Sequence, residues 1–237
     1  MPFNSRLSAD YIRDMVLRDF RAFDEVVTKR VLPTFDNFGT EALEHGDEWF
    51  QERAGHLNPL DDDEYDAAAY YADQAMDKTL AFADMLVSMY FASSALYTIG
   101  LFHLFEQHAA DFLLWLLGCG SDKEVRLKDF TGWLKSDASI EVEALGSWAT
   151  IQELRLVANA IKHAEGTSAA KLRKTRPELF VHPSARDSDK PGHRVKRRIR
   201  KPLFGEDLYL TSDDFARYSR AVMGFWEELA DLMKAVA

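Results

Sequence analysis

The chain has 237 residues, of which 47% are hydrophobic, so it can bury a substantial core as one large domain or as one domain with an appendage. Its net charge of −10 excludes a general electrostatic attraction for nucleic acid and is typical of a soluble cytoplasmic protein. The single cysteine, Cys119, excludes an intrachain disulfide; since no base stands beside it, we expect a buried or half-buried thiol rather than a nucleophile.

The low content of chain breakers, 12 Gly and 7 Pro, favours an all-helical protein. In the N-terminal part, apolar residues at helical spacing predict a helix that Ser8 caps and Pro33 breaks or kinks, followed by a second helix. A polar, acidic loop over residues 55–66 separates these helices from the rest. We therefore predict an N-terminal helical segment at residues 1–60 and a helical bundle at residues 61–237.

The next helix is predicted from residue 64 to residue 117, with Gly118 at its end. Within it, residues 85–105 carry no formal charge, and 21 residues are enough to cross a bilayer. Three serines, a threonine, two tyrosines and a histidine interrupt this stretch, and no cluster of Lys or Arg anchors it. A buried helix in a protein without a membrane is the favoured interpretation, and a membrane-spanning helix is the alternative.

Further along the chain, residues 123–136 predict a short amphipathic helix. Thr150 and Glu153 then have the spacing of a capping box, which predicts the start of a helix that Gly166 ends. Another short helix must finish before Pro177.

Thr211 or Ser212 is expected to cap the C-terminal helix, which should bury one apolar stripe. That stripe consists of Phe215, Tyr218, Val222, Phe225, Trp226 and Leu229. In residues 181–201 the apolar residues do not recur at a spacing that would form part of a core. This predicts a loop or arm, which a hairpin through residues 203–210 could follow. The predicted fold is an all-α helical bundle with extra N-terminal helices and a basic loop or short hairpin before the last helix.

Charge is distributed unevenly along the chain. Residues 171–201 contain 12 Lys or Arg against three acidic residues, a local charge of +9, which leaves −19 on the remainder. The arm over residues 181–201 would favour phosphate backbones without reading sequence, or would dock on an acidic protein surface. Its candidate phosphate or RNA ligands are Arg194, Lys196, Arg197, Arg198, Arg200 and Lys201.

The stretch LRLVANAIKHAEG, residues 154–166, places polar side chains on an otherwise apolar helix. On a helical wheel, Arg155, Asn159, Lys162 and His163 share one narrow strip. Such a strip could cleave RNA without a metal ion, since a histidine can relay protons and Arg or Lys can stabilise charge on a phosphate. The alternative is a solvent-facing strip of an amphipathic helix without a chemical role.

Two stretches carry a resemblance to a known family: LYTIGLFHLFEQHAADFLLWL at residues 96–116 and NAIKHAEG at residues 159–166. The chain resembles the HEPN superfamily of small helical-bundle domains, many of which are metal-independent endoribonucleases in toxin–antitoxin and antiviral systems. The resemblance covers residues 80–166 best. Asn159 and His163 match the Asn and His of the family's Arg-Asn-x-x-x-His motif.

Ala158 stands where this motif has Arg, so an enzyme would need Arg155 or Lys162 to supply the missing charge. HEPN-like domains usually dimerise through this region. The resemblance therefore implies a homodimer with a composite site at its two-fold interface.

Other candidate sites are fewer. If the two resembling helices pack antiparallel, Glu106 is expected to pair with Arg155 or Lys162 across the site, as support for catalysis or as a structural salt bridge. No metal-ligand spacing, phosphate-binding glycine loop or Gly-x-Ser-x-Gly is present in the sequence, so we expect neither metal nor cofactor.

Two hypotheses for function follow. In the first, the protein is an RNA-directed member of a bacterial defence or toxin–antitoxin system and, if catalytic, a metal-independent endoribonuclease. His163 would be the acid and base, Asn159 would orient it, and Arg155 and Lys162 would bind phosphate. In the second, it is a non-catalytic helical scaffold whose surface binds a protein partner of such a system.

Overall fold

The computed structural model describes residues 5–58, 61–118, 124–186 and 198–235. Within these ranges the regular secondary structure is entirely helical, without a strand. The prediction of an all-α helical bundle is therefore confirmed.

The N-terminal residues form one continuous helical run whose hydrogen-bond pattern changes along its length. It consists of α1 (Ser5–Tyr11), a π turn (Ile12–Val16), α2 (Leu17–Val26), a second π turn (Val27–Val31) and a 3-10 turn (Leu32–Phe35). Pro33 interrupts the α-helical pattern, as predicted: it lies at the start of the 3-10 turn, and the run ends at Phe35. Ser8 does not cap a helix: it lies inside α1 and is fully buried. Ile12, Val16 and Phe20 belong to the same core as the C-terminal helices, so the two predicted segments share one core.

Two antiparallel helices follow: α3 (Phe38–Ala54) and α4 (Asp62–Leu117). His45 stacks on Phe82 with ring centroids 4.4 Å apart, and Trp49 lies 6.2 Å from Tyr71. The 56 residues of α4 form a single α-helix about 84 Å long. Gly118, with φ of +61°, follows it, as the sequence predicts.

The apolar character of α4 is visible in the structure as well as in the sequence. It contains an 18-residue window with a mean hydropathy of 1.5, of which 33% is buried within the protein. By length and composition this one helix is able to cross a membrane, and a core helix of a soluble protein has the same properties.

Four α-helices lie in the described residues 124–186 and 198–235: α5 (Leu127–Ser136), α6 (Trp148–His163), α7 (Thr167–Thr175) and α8 (Ser212–Ala235). The predicted apolar stripe of α8 is fully buried and packs against α4, α5 and α6. Thr211 caps α8 in a capping box with Asp214, since each side chain accepts a hydrogen bond from the other residue's backbone N–H.

Three local predictions for this part are wrong. The helix α6 begins at Trp148, so Thr150 lies in its first turn and does not form a capping box with Glu153. The same helix ends at His163, and the residue with positive φ is Ala164, not Gly166. Residues 203–210 do not form a hairpin: Pro202–Phe204 is a 3-10 turn, and the described residues 198–211 contain no strand.

Instead of capping α6, Glu153 is the centre of an ionic cluster. Its carboxylate accepts hydrogen bonds from Arg176 (2.5 Å), from the Tyr218 hydroxyl (2.6 Å) and from Arg217. Arg176 also donates to Asp214 (2.8 Å) and to Glu178. Burial, reinforced by the neighbouring charge of Glu153, raises the pKa of Tyr218 well above its usual range. We call these residues the Glu153 cluster; it joins α6, the segment after α7, and α8.

Replacing Glu153 by Gln is expected to lower the free energy of unfolding by about 2–3 kcal/mol, because Arg176 and Arg217 lose their shared counter-charge while only 19% and 35% exposed. The measurement is urea denaturation followed by circular dichroism. Glu227→Gln is the matched control: that carboxylate pairs with Arg21 at the surface, where both side chains are more than half exposed. It should change stability by less than about 0.5 kcal/mol. Equal effects of the two changes would show that the Glu153 cluster adds nothing to stability.

The turn before α8 makes a close contact that only glycine permits. Gly205 has φ of +72°, and a Cβ there would lie 2.0 Å from the carbonyl oxygen of Ser88 in α4. We expect Gly205→Ala to destabilise the protein by about 2–4 kcal/mol, from backbone strain and the displaced turn. Gly132→Ala in α5 is the control, since nothing lies within 4 Å of its Cβ position, and it should stabilise by about 0.5–1 kcal/mol. Thermal and urea denaturation of both variants test this pair; an unaltered Gly205→Ala protein would contradict it.

Candidate functional site

A polar groove runs along the outer side of α6. One part, a cavity of about 620 Å³, lies between α4, α5 and α6 and is lined by Glu106, Lys128 and Arg155 among others. The adjoining part, about 350 Å³, lies between α6 and α7 and is lined by Arg155, Asn159, Ser168 and Lys171, with Gln152 and Leu156. Because Arg155 and Gln152 line both cavities, we call the whole the Arg155 groove.

The Arg155 groove contains some of the predicted site residues and excludes others. Arg155 is exposed and Asn159 is half-buried, and both line the same cavity. Lys162 and His163 are exposed in the last turn of α6 and line neither cavity. His163 lies eight positions after Arg155, which is about 12 Å along the helix axis. Within one chain, the four polar residues therefore do not converge on a single point.

Glu106 of α4 lines the same cavity as Arg155 of α6. Among the described residues, however, no ion pair within 4 Å joins Glu106 to Arg155 or to Lys162. The neighbouring His103 and Gln107 form a side-chain hydrogen bond of 3.3 Å. The groove thus holds a carboxylate and a guanidinium that are both available to a ligand.

Ala158, which the resemblance aligns with the motif Arg, is fully buried in the core. Its Cβ lies on the apolar side of α6, as the helical wheel predicts. A longer polar side chain at this position would point into the core, so any cationic group of the site has to come from elsewhere on the surface.

The structure describes the basic arm at residues 181–186 and 198–201. Arg194, Lys196 and Arg197 lie outside the described residues. Arg198, Arg200 and Lys201 are exposed, whereas Ile199 between them is 2% exposed and packs in the core. The backbone N–H of Ile199 donates to the Glu165 carboxylate at 3.0 Å, and that of Arg200 donates to Asp207 at 3.0 Å.

Glu165 connects this end of the arm to the last turn of α6. Its carboxylate also accepts two hydrogen bonds from Arg173 of α7, at 2.5 and 3.0 Å. These bonds from Arg173 lower the pKa of Glu165, and the backbone bond from Ile199 and the charge of Arg198 act in the same direction. The connection places Ile199 and the charge of Arg198 near Glu165, two residues beyond the end of α6.

Exposed cations therefore collect on adjoining elements of the surface. None of them makes an ion pair within the part of the chain that the structure describes. We call them the basic region: Arg155, Lys162, Lys171, Lys174, Arg198, Arg200 and Lys201. Phosphate is the ligand such unpaired cations favour, and Arg binds it in a bidentate geometry.

Sequence reasoning did not place Lys171, Ser168 and Gln152 at the site. Only two residues separate Ala164 from the start of α7, and this short connection packs α7 against α6. The short connection could have indicated that α7 packs on α6, because helices joined by a short loop are usually antiparallel neighbours.

Metal binding finds no support in the described residues, where no group of three or more His, Cys, Asp or Glu side chains is close enough to hold an ion.

Comparison of the chain with protein-family profiles, with curated proteins and with solved structures finds no match.

Replacing Glu165 by Ala removes the acceptor that holds the backbone of Ile199. We expect the amide hydrogen of Ile199 to exchange roughly tenfold faster, because a hydrogen bond to a charged group is lost. Hydrogen exchange measured by mass spectrometry or NMR tests this. The amide of Arg200 is the internal control, since its acceptor is Asp207. Unchanged exchange at Ile199 would mean that burial of its side chain alone holds the arm.

Proposed function

We propose that this protein is an RNA-directed, HEPN-like protein whose basic region binds the RNA backbone. The observation that carries the proposal is the set of exposed cations on α6, α7 and residues 198–201 that lack ion-pair partners among the described residues. The chain as a whole is acidic, so a local concentration of unpaired cations favours one anionic ligand at one place. The Arg155 groove supplies Asn159 and Gln152 as hydrogen-bonding groups next to it.

Catalysis is the second part of the proposal. His163 is exposed beside Lys162, and the hydrogen bond from Ile199 to Glu165 holds Arg198 close to the same turn. An accessible imidazole among cations has the components needed to deprotonate a ribose 2′-hydroxyl and to stabilise charge on the phosphate. Since Arg155 lies about 12 Å away along α6, the active form would be a homodimer in which a second copy completes the site.

A non-catalytic scaffold is the competing function. The burial of Ala158 favours it, because the position that resembles the motif Arg presents no charge at the surface. In that case, the same region would bind an acidic protein partner of a defence or toxin–antitoxin system. Both proposals place the protein in the cytoplasm and without a membrane.

The binding test uses fluorescence anisotropy with a labelled single-stranded RNA over a range of salt concentrations. The triple variant Lys162→Ala/Lys171→Ala/Arg198→Ala should bind more weakly and should reduce the salt slope by about 2, since each lost phosphate contact reduces it by about 0.7. Lys29→Ala/Arg53→Ala/Lys135→Ala removes the same charge from exposed, ion-paired sites elsewhere and should leave the slope unchanged. Equal weakening by both variants would contradict a localised RNA site.

The cleavage test incubates the protein with mixed RNAs in EDTA, beside His163→Ala. An endoribonuclease of this type leaves 2′,3′-cyclic phosphate ends, and the variant should lose at least about 100-fold in rate. Intact RNA with both proteins, combined with salt-dependent binding, would reject catalysis and retain RNA binding. Absence of binding at low salt would reject the RNA proposal and favour the scaffold.

A further inference from the structure

A second cavity, of about 660 Å³, lies away from the residues that form the Arg155 groove. It is bounded by the turn that ends the N-terminal helical run, by the middle of α4, by the segment around His182 and by the start of α8. Its volume falls within the range of pockets that hold small molecules. We call it the aromatic pocket.

Aromatic rings form much of its wall. Phe35 packs edge-on against Tyr90 at 5.9 Å, and Tyr90 packs against Phe91 at 5.1 Å. His182 continues this row, 5.4 Å from Phe91, and Phe38 stands 40% exposed at the edge of the pocket. The Tyr90 hydroxyl accepts a hydrogen bond from the backbone N–H of Ser212 at 2.8 Å, which fixes this ring to the start of α8. The wall is therefore held in place before any ligand enters.

The charged side chains that line the pocket have one sign. Asp36 and Asp213 line it, both exposed, and no Lys or Arg is among its described lining residues. Neither carboxylate makes an ion pair with a residue in the described ranges. Burial, together with nearby Arg186, lowers the pKa of His182, which favours the uncharged ring. The pocket therefore combines aromatic side chains with two carboxylates that make no ion pair within the described ranges.

We propose that the aromatic pocket is a binding site for a small organic cation with a flat, apolar body. The face of an aromatic ring attracts a cation, and carboxylates at the rim add a longer-range attraction for the same charge. A neutral molecule of the same shape gains only the apolar contacts, and an anion is repelled by both carboxylates. This site is independent of the RNA proposal, because it uses none of the residues in the basic region or the Arg155 groove.

The probes are three molecules of nearly the same planar shape: benzamidine, which is cationic, benzamide, which is neutral, and benzoate, which is anionic. Their dissociation constants are measured with the full chain by isothermal titration calorimetry or ligand-observed NMR. We expect benzamidine to bind about tenfold more tightly than benzamide, and benzoate to bind most weakly.

Two double variants locate the site. Asp36→Asn/Asp213→Asn should remove the preference for benzamidine over benzamide while leaving benzamide binding intact. Asp66→Asn/Asp73→Asn is the matched control: it removes two exposed carboxylates from α4 that do not line the aromatic pocket. The control should keep the tenfold preference. Circular dichroism spectra of both variants establish that they are folded.

A third variant tests the wall. Phe35→Leu should weaken the binding of benzamidine more than that of benzamide. The cation loses contact with an aromatic ring face, while Leu keeps most of the apolar volume of the side chain. Three results would overturn the proposal: no saturable binding of benzamidine, equal affinity for benzamidine and benzamide, or a preference that survives Asp36→Asn/Asp213→Asn.

Discussion

The Glu153 cluster is the constraint on which the candidate site depends. One carboxylate, 20% exposed, accepts hydrogen bonds from Arg176, Arg217 and Tyr218, and so joins α6 to two segments that are distant in sequence. On the wheel of α6, Glu153 and Arg155 lie about 160° apart. Because the cluster turns Glu153 towards α8, it also turns Arg155 and Asn159 outward. The Glu153 cluster, on one side of α6, thus determines where the functional groups on the opposite side point.

Much of the fold was predictable because its strongest signals are local and periodic. The buried stripe of α8, its cap at Thr211 and the interruption at Pro33 follow from spacing and from the chemistry of single residues. The errors have a common cause. Thr150 and Glu153 have the pattern of a capping box, but Glu153 forms stronger interactions with Arg176 and Arg217, 23 and 64 residues away. A pattern of neighbouring residues cannot identify partners that are so distant in sequence.

The prediction of a hairpin is wrong for a similar reason. Leu208 and Leu210 have the alternation of a strand, yet they are buried in the core of a helical bundle, and Gly205 brings their turn against the backbone of α4. For the candidate site, a helical wheel gave the angular position of Arg155 and His163 and took no account of their separation along the axis. The contribution of Lys171 depends on how α7 packs on α6, which no single helix predicts.

The length of α4 has a consequence for how the molecule loses its order. Its C-terminal part is enclosed by the core, with Phe102, Phe105 and Phe112 fully or almost fully buried, while its N-terminal part packs mainly against α3. Opening of α3 therefore exposes one interface and leaves the central cluster of aromatic side chains in place. The single helix α4 thus belongs to two cooperative units. Its N-terminal part can unfold together with α3 while its C-terminal part stays folded.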